Sequence, residues 1–179
     1  AKALVNEHFG DIARGPDNEY RFPSEDVQTE AVYREVTDPL APLGLTLISW
    51  DVPAPRTADR DALELLSTVL STGPSSRLNR RLVDEEKLAA GVTMMTGFPI
   101  PTYGPGQLVA LMPASKDAEL AKLREAFWAE LELVREKGVT KKELERAKAK
   151  RRKEYVDGMG DTGFKARQLA TYEAFYGGA

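Results

Sequence analysis

The 179-residue chain predicts an α+β fold, a mixed or antiparallel sheet covered on one face by helices. Three observations predict it. Strand-like and helix-like segments alternate as strand, strand, helix, helix, strand, strand, helix, helix, helix, the pattern of antiparallel pairs interleaved with helix layers. The length fits one domain at about 100–200 residues each, and such a chain buries a core without disulfides or metal. Composition is 42% hydrophobic and 30% charged, with Gly 14 and Pro 11, ordinary globular usage that leaves out collagen-like and disordered classes.

Ala3, Leu4, Val5 and Phe9 read as the last turns of a helix closed by Gly10. Position 1 is Ala, and Tyr176-Gly177-Gly178-Ala179 follows a helical segment directly, so the sequence reads as a piece of something longer. A connector with Pro16 and Pro23 runs from Arg14 to Ser24. Val27–Thr37 reads as a strand, and Asp38-Pro39-Leu40-Ala41-Pro42 as a turn, because each proline removes a ladder donor. The apolar run Leu43–Val52 predicts a strand buried on both faces. Thr57 can cap a helix with the stripe Ala62, Leu63, Leu66, Val69 and Leu70. Gly73-Pro74 breaks it, and Ser75 can cap a shorter helix through about Glu86 that carries Leu78 and Leu82.

Val92, Met94, Thr96 and Phe98 alternate as a strand, and a Pro/Gly loop from Pro99 to Gly106 leads to a second apolar strand, Gln107–Met112. The pair predicts a hairpin with a long loop. Ser115 or Asp117 starts a helix with the stripe Leu120, Leu123, Phe127, Leu131 and Val134, closed by Gly138. Thr140-Lys141-Lys142-Glu143 is a capping box that starts the next helix at once. The last helix runs from about Gly163 to Phe175.

The net charge of −3 implies no general attraction to nucleic acid or anionic lipid, and no apolar run approaches the ~18 residues of a membrane span. No signal peptide opens the chain. Two counts restrict the chemistry. The chain has no Cys and a single His, His8, so neither a two-His zinc motif nor a thiolate cluster can be assembled from it. Thiol catalysis is removed with the cysteines.

The remaining motifs have structural explanations. Gly158-Met159-Gly160-Asp161-Thr162-Gly163 matches G-x-G-x-x-G, but a charged helix precedes it where the dinucleotide motif needs a strand, so it reads as a helix–helix break. The basic run from Lys141 to Lys153 lacks interleaved aromatic residues for base stacking. It reads as a solvated helix face compensated by the preceding helix, which carries Glu119, Glu125, Glu130, Glu132 and Glu136. His8 sits at a helix end, where an imidazolium suits the dipole. Asp59, Asp61 and Asp84-Glu85-Glu86 fit helix starts as well as acid–base work. An exposed strand edge, whether Val27–Thr37 or the hairpin, could accept a partner strand.

One ordered set of segments carries a family resemblance. Leu70-Ser71-Thr72-Gly73-Pro74-Ser75-Ser76-Arg77-Leu78, continuing through Leu82-Val83-Asp84-Glu85-Glu86 to Leu88-Ala89, resembles the "L-x-x-G-x-S-S-R-L…L-V-x-E-x-x-L-A" run of the M16 zinc metallopeptidases, which include pitrilysin, insulinase and the mitochondrial processing peptidase. Phe9-Gly10-Asp11-Ile12, the stretch Glu25 to Val36, Asp61 to Leu66 and Gly138 to Lys148 resemble further segments in the same order, over almost the whole chain.

The resemblance implies an M16-type domain that follows the zinc-binding domain and carries no catalytic, metal-binding or cofactor-binding residue of its own. The inverted H-x-x-E-H motif needs two His and a Glu on one helix, so zinc would come from a segment outside this chain or from another chain. Many relatives carry an Arg and a Tyr thought to assist the tetrahedral intermediate. The corresponding positions here are Val83 and Ala90, which donate no side-chain hydrogen bond. Arg77 reads as a structural cation held by nearby acceptors. The implied role is a non-catalytic wall of a peptide-hydrolysing chamber, its partners a zinc-bearing M16 domain and a peptide substrate. The alternative is an inactive scaffold or assembly subunit. A nucleic-acid role for Lys141–Lys153 is not expected. Such peptidases suggest a bacterial, often periplasmic protein, though no export route is written in these residues.

Overall fold

A computed structural model describes residues 2–16, 28–97 and 104–178, and the chain forms two compact units, Ala1–Arg34 and Glu35–Ala179. In the first unit, helix α1 (Lys2–Phe9) ends where the Gly10 amide donates to the Asn6 carbonyl at 2.9 Å. A Cβ at position 10 would run into that same carbonyl oxygen, which is why glycine closes the helix. The connector and the start of the expected first strand lie partly outside the described residues, 17–27 among them. Residues 28–37 correct the sequence expectation: they form no strand, and Val32, Tyr33 and Val36 are exposed. Alternating side chains express local propensity, but a strand exists only where its backbone groups find a ladder.

In the second unit, β1 (Leu45–Val52), β2 (Thr93–Thr96) and β3 (Gly106–Pro113) form an antiparallel sheet in the order β1-β3-β2. Trp50 and Thr96 flank Leu108, and Ile48 and Met94 flank Ala110, so these residues share the inner face. The hairpin expected between the second strand pair is present, with residues 98–103 of its loop outside the described set. β1 departs from the expectation of a strand buried on both faces. It begins at Leu45 and alternates, leaving Leu45 and Leu47 55% and 51% exposed. Leu45 and Leu47 lie on the face opposite the core cluster, at the edge of the sheet, where no neighbouring strand among the described residues flanks them on the far side.

Helix α2 (Ala58–Ser71) starts as expected, the Arg60 amide donating to the Thr57 hydroxyl. The next helical segment differs from expectation. It widens into a π-helix over Asn79–Glu85, and Ser75 does not cap it, because the Ser75 hydroxyl accepts from Arg146 on another helix. Helix α3 (Leu120–Lys137) begins later than Ser115 or Asp117; Glu119 holds the cap position, and Asp117 adopts a left-handed φ of 66° in the preceding turn. Helix α4 (Lys141–Gly158) has the full reciprocal capping box of Thr140 and Glu143. Helix α5 (Thr162–Tyr176) is capped by Asp161, whose carboxylate accepts from the Phe164 amide at 2.6 Å. The Gly158–Gly163 string is thus the break between α4 and α5, and a Cβ at Gly158 would meet the Phe164 ring at 3.0 Å.

The core lies between the inner sheet face, α2, the π-helical segment and α3. Phe127, Leu70, Leu78, Leu82, Met112 and Leu123 are fully buried in it. Phe127 anchors an aromatic cluster, stacked on Trp50 with centroids 6.2 Å apart and meeting Trp128 edge-on at 5.7 Å. Among the described residues no helix is long and apolar enough to cross a membrane.

Candidate functional site

The residues singled out around Ser76-Arg77-Leu78 converge on one polar cluster at the start of the π-helical segment. The tight turn at Gly73 (φ 88°) lets the Ser76 hydroxyl donate to the Gly73 carbonyl at 2.7 Å and points Arg77 toward the junction of α3 and α4. There the Arg77 guanidinium meets Glu143 in a fork, with Nε–Oε1 at 2.6 Å and Nη2–Oε2 at 2.7 Å, and donates to the Gly138 carbonyl at 3.1 Å. Buried Glu130 of α3 lies 3.9 Å from Arg77 and 3.3 Å from Arg81, and Arg81 in turn pairs with Glu86 at 2.7 Å. Two arginines and three glutamates therefore join the π-helical segment, α3 and α4.

The electrostatics follow from that geometry. The Arg77 fork holds the Glu143 carboxyl at about 2, against the opposing effect of burial, with the Thr140 backbone and hydroxyl assisting. The Glu143 hydrogen bond raises Arg77 above its ordinary value, and Arg81 is raised first by Glu86 and then by Glu130. Arg77, Arg81 and Glu143 are each displaced toward their charged forms. Glu143 is already committed to the capping box, so one carboxylate both starts α4 and binds Arg77.

A second polar hub sits behind it. The Asn79 amide nitrogen donates to the Ser71 carbonyl (2.8 Å), the Ser76 hydroxyl (3.0 Å) and the Val92 carbonyl (3.1 Å), while its oxygen accepts from the Val92 amide (3.0 Å). Ser71 accepts from the Met94 amide at 2.8 Å. Together they tie α2 and the π-helical segment to the approach and body of β2.

The basic run on α4 is compensated, but not mainly by α3 as the sequence suggested. Arg151 pairs with Glu64 of α2, Lys150 donates to the Thr72 carbonyl at 3.2 Å, and Arg146 holds Ser75 through its hydroxyl and carbonyl. Lys148 pairs with Glu145 on its own helix. Cations of α4 thus serve the C-terminal end of α2 and the turn after it, where helix carbonyls lack partners. A cavity of about 100 Å³ lies between these elements, lined by Thr68, Thr72, Gly73, Ser75, Arg146 and Lys150. Ligand sites usually span about 300–1,000 Å³, so this space is too small for a peptide.

At the site positions implied by the resemblance, one side chain is half-buried and the other exposed. Val83 packs partly buried against the core, and Ala90 contributes its backbone amide to the Pro113 carbonyl at 2.8 Å. His8 lies exposed on α1 in the first unit. Among the described residues no three His, Cys, Asp or Glu side chains gather in a way that could hold a metal ion, and one His without Cys is a poor donor set for zinc. The residues present do not fit a resident zinc. Sequence reasoning reached Arg77 and Glu143 separately and missed their pairing; it named Glu130 only as a neighbour of the basic helix, whereas Glu130 faces Arg77 and Arg81, and it missed the Asn79 hub. The partners are 66 residues apart, and no local spacing signals them.

A family model described as the peptidase M16 inactive domain matches residues 1–151. A search of the curated proteins found no match. Among solved structures, a protease from Helicobacter pylori is 20% identical with a TM-score of 0.77, over 96% of this chain and 41% of that one. A candidate zinc protease from Bordetella pertussis Tohama I is 27% identical with a TM-score of 0.64, over 78% of this chain and 74% of that one. The inactive peptidase domain of a candidate zinc protease from Bordetella parapertussis is 28% identical with a TM-score of 0.63, over 73% and 67%. The chain spans about two-fifths of the Helicobacter protein's length.

Proposed function

The chain belongs to the peptidase M16 inactive-domain family, and from that premise we propose that it is the non-catalytic half of a zinc metalloendopeptidase, walling a chamber in which peptides are cut. The observation that carries the reading is the family match over residues 1–151. Two features support it. The donor set is too poor in imidazole and thiolate for a hydrolytic zinc, and Val83 and Ala90 offer no side-chain donor to a tetrahedral oxyanion. Zinc, its activated water and the general base belong on this reading to another domain, in the same or another chain.

What this chain contributes is rigidity. A chamber wall has to hold its shape while peptide enters and leaves, and its polar interior is tied down by forked ion pairs and the Asn79 hub. The test is direct. Purified alone, the chain retains less than stoichiometric zinc by elemental analysis and leaves unstructured peptides intact. Mixed with the zinc-bearing half of its parent protein, it supports chelator-sensitive cleavage that the zinc-bearing half alone performs poorly. Chelator-sensitive turnover by the isolated chain would overturn the reading. A zinc-bearing half that is equally active without it would favour the scaffold role.

A further inference from the structure

Arg146 and Lys150 stand apart from other cations of α4. Lys148, Arg151 and Lys153 each face a carboxylate, of Glu145, Glu64 and Asp157. Arg146 and Lys150 have no carboxylate partner among the described residues. Arg146 donates to the Ser75 hydroxyl at 3.3 Å and to its carbonyl at 3.2 Å, and Lys150 to the Thr72 carbonyl at 3.2 Å. These contacts are at the long end for N–H···O bonds, where the Arg77 fork is at 2.6 and 2.7 Å. The two cations are four residues apart on α4, a spacing at which like charges destabilise a helix. Both nevertheless reach over the same turn. Gly73 admits that approach, because a Cβ there would stand 3.0 Å from the Lys150 ammonium nitrogen.

The cavity of about 100 Å³ lies at this turn, lined by both cations and by Thr68, Thr72 and Ser75, with no carboxylate among its lining residues. At about 30 Å³ per water it holds about three waters, or one compact oxyanion. Donors are in excess there. An ammonium carries three N–H groups and a guanidinium five, and Lys150 commits one and Arg146 two to the contacts above. The Ser75 hydroxyl accepts from Arg146 and keeps its own proton to give. The negative pole of α2 ends at this turn, and Lys150 already covers its Thr72 carbonyl, so Arg146 is the surplus charge. We propose that this cavity is a binding site for a small oxyanion of phosphate or sulfate type, held by Arg146 and Lys150 with the Ser75 and Thr72 hydroxyls. The site is independent of the chamber reading and stands or falls without it.

The experiment titrates the isotope-labelled full chain with sodium phosphate and then sodium sulfate, at ionic strength held constant with sodium chloride, and follows the amide NMR spectrum. The expected result is saturable one-to-one binding with shifts centred on Gly73, Ser75 and Lys150, and a Tm that rises with phosphate. Arg146→Gln and Lys150→Gln each weaken binding about tenfold, the worth of a charge-assisted hydrogen bond. Arg152→Gln removes an exposed cation of the same helix outside the cavity lining and leaves binding within about twofold. Phenyl phosphate distinguishes the sources of the anion. Binding as tight as that of inorganic phosphate supports a site for a phosphoryl group carried on a larger molecule, and exclusion of the ester supports one for the free anion. Shifts that do not saturate, shifts spread evenly along α4, or equal weakening by Arg152→Gln overturn the proposal in favour of diffuse screening by salt. Wild-type affinity in folded Arg146→Gln and Lys150→Gln overturns it too. Circular dichroism checks each fold, and where a variant does not fold, the wild-type shift map decides.

Discussion

Replacing Arg77 with Met removes the fork while keeping much of the aliphatic volume, and the structure sets the size of the effect. Arg77, Glu143 and Glu130 are 15%, 19% and 10% exposed at their side chains, so the cluster is partly but not wholly withdrawn from water. A hydrogen bond to a charged group contributes about 1.5–3 kcal/mol net, and breaking a buried pair costs about 3–5 kcal/mol because the surviving charge is stranded. Here Glu143 keeps Thr140 and some solvent, and Glu130 keeps Arg81, so the expected loss is about 2–3 kcal/mol. For a chain of this size that lowers Tm by about 4–12 °C. Urea unfolding followed through Trp50 and Trp128 measures it. A double-mutant cycle of Arg77→Met with Glu143→Gln is expected to show about 1–3 kcal/mol of coupling. Arg77→Lys keeps the charge but not the planar fork and should recover less than half of the loss. A folded Arg77→Met that loses under about 0.5 kcal/mol, or shows no coupling to Glu143, refutes the view that this cluster holds the helices together.

Three further outcomes are expected. Because the folded-state value of Glu143 is depressed to about 2, its extra stabilisation is complete above its ordinary carboxylate value and is lost as pH falls from about 5 toward 2. Glu143→Gln should flatten the wild-type stability curve across that window by about 1–2 kcal/mol after allowance for solvent screening, read by urea titrations at each pH; a parallel curve would count against the assignment. Asn79→Leu strands the Val92 amide and carbonyl and should cost about 2–4 kcal/mol, with faster hydrogen exchange at Val92 and Met94 as the local signature. Phe127→Ala empties the centre of the core and should cost about 3–5 kcal/mol by urea unfolding, with a changed tryptophan spectrum because Trp50 and Trp128 both rest on that ring.

Elements declared by neighbouring residues were legible in the sequence. Thr57 and Thr140 announce α2 and α4 because a cap is a contact across three residues, and the apolar stripe of α3 is a local periodicity. What required knowledge of distant partners was not. Residues 28–37 have the alternation of a strand without a ladder to join, and Leu45 and Leu47 look like core residues until the sheet is known to end at β1. The site divides in the same way. The single His and absent Cys can be counted, and Val83 and Ala90 can be read by alignment to the family pattern. The fork between Arg77 and Glu143, and the turning of Ser75 from its own helix to Arg146, depend on how α4 packs against α2.

The direction of the pKa displacement separates this polar cluster from a catalytic one that might resemble it in composition. A general base or acid works best with a value near the working pH, so enzymes raise carboxylates toward neutrality by burial or by pairing them with like charge. The carboxylate this structure displaces goes the other way. Glu143 is held at about 2 by a guanidinium fork and a helix cap, which makes it a very weak base and fills its lone pairs with donors from the protein. Arg77 and Arg81 are likewise spent on carboxylates and a carbonyl, leaving neither guanidinium presented to a substrate's developing charge. Charged residues of this cluster are thus arranged to satisfy one another and so to rigidify the domain. That organisation supports the proposed wall role, on which substitutions at Arg77, Arg81 and Glu143 are expected to change stability and to leave the pH–rate profile of the parent protein unmoved.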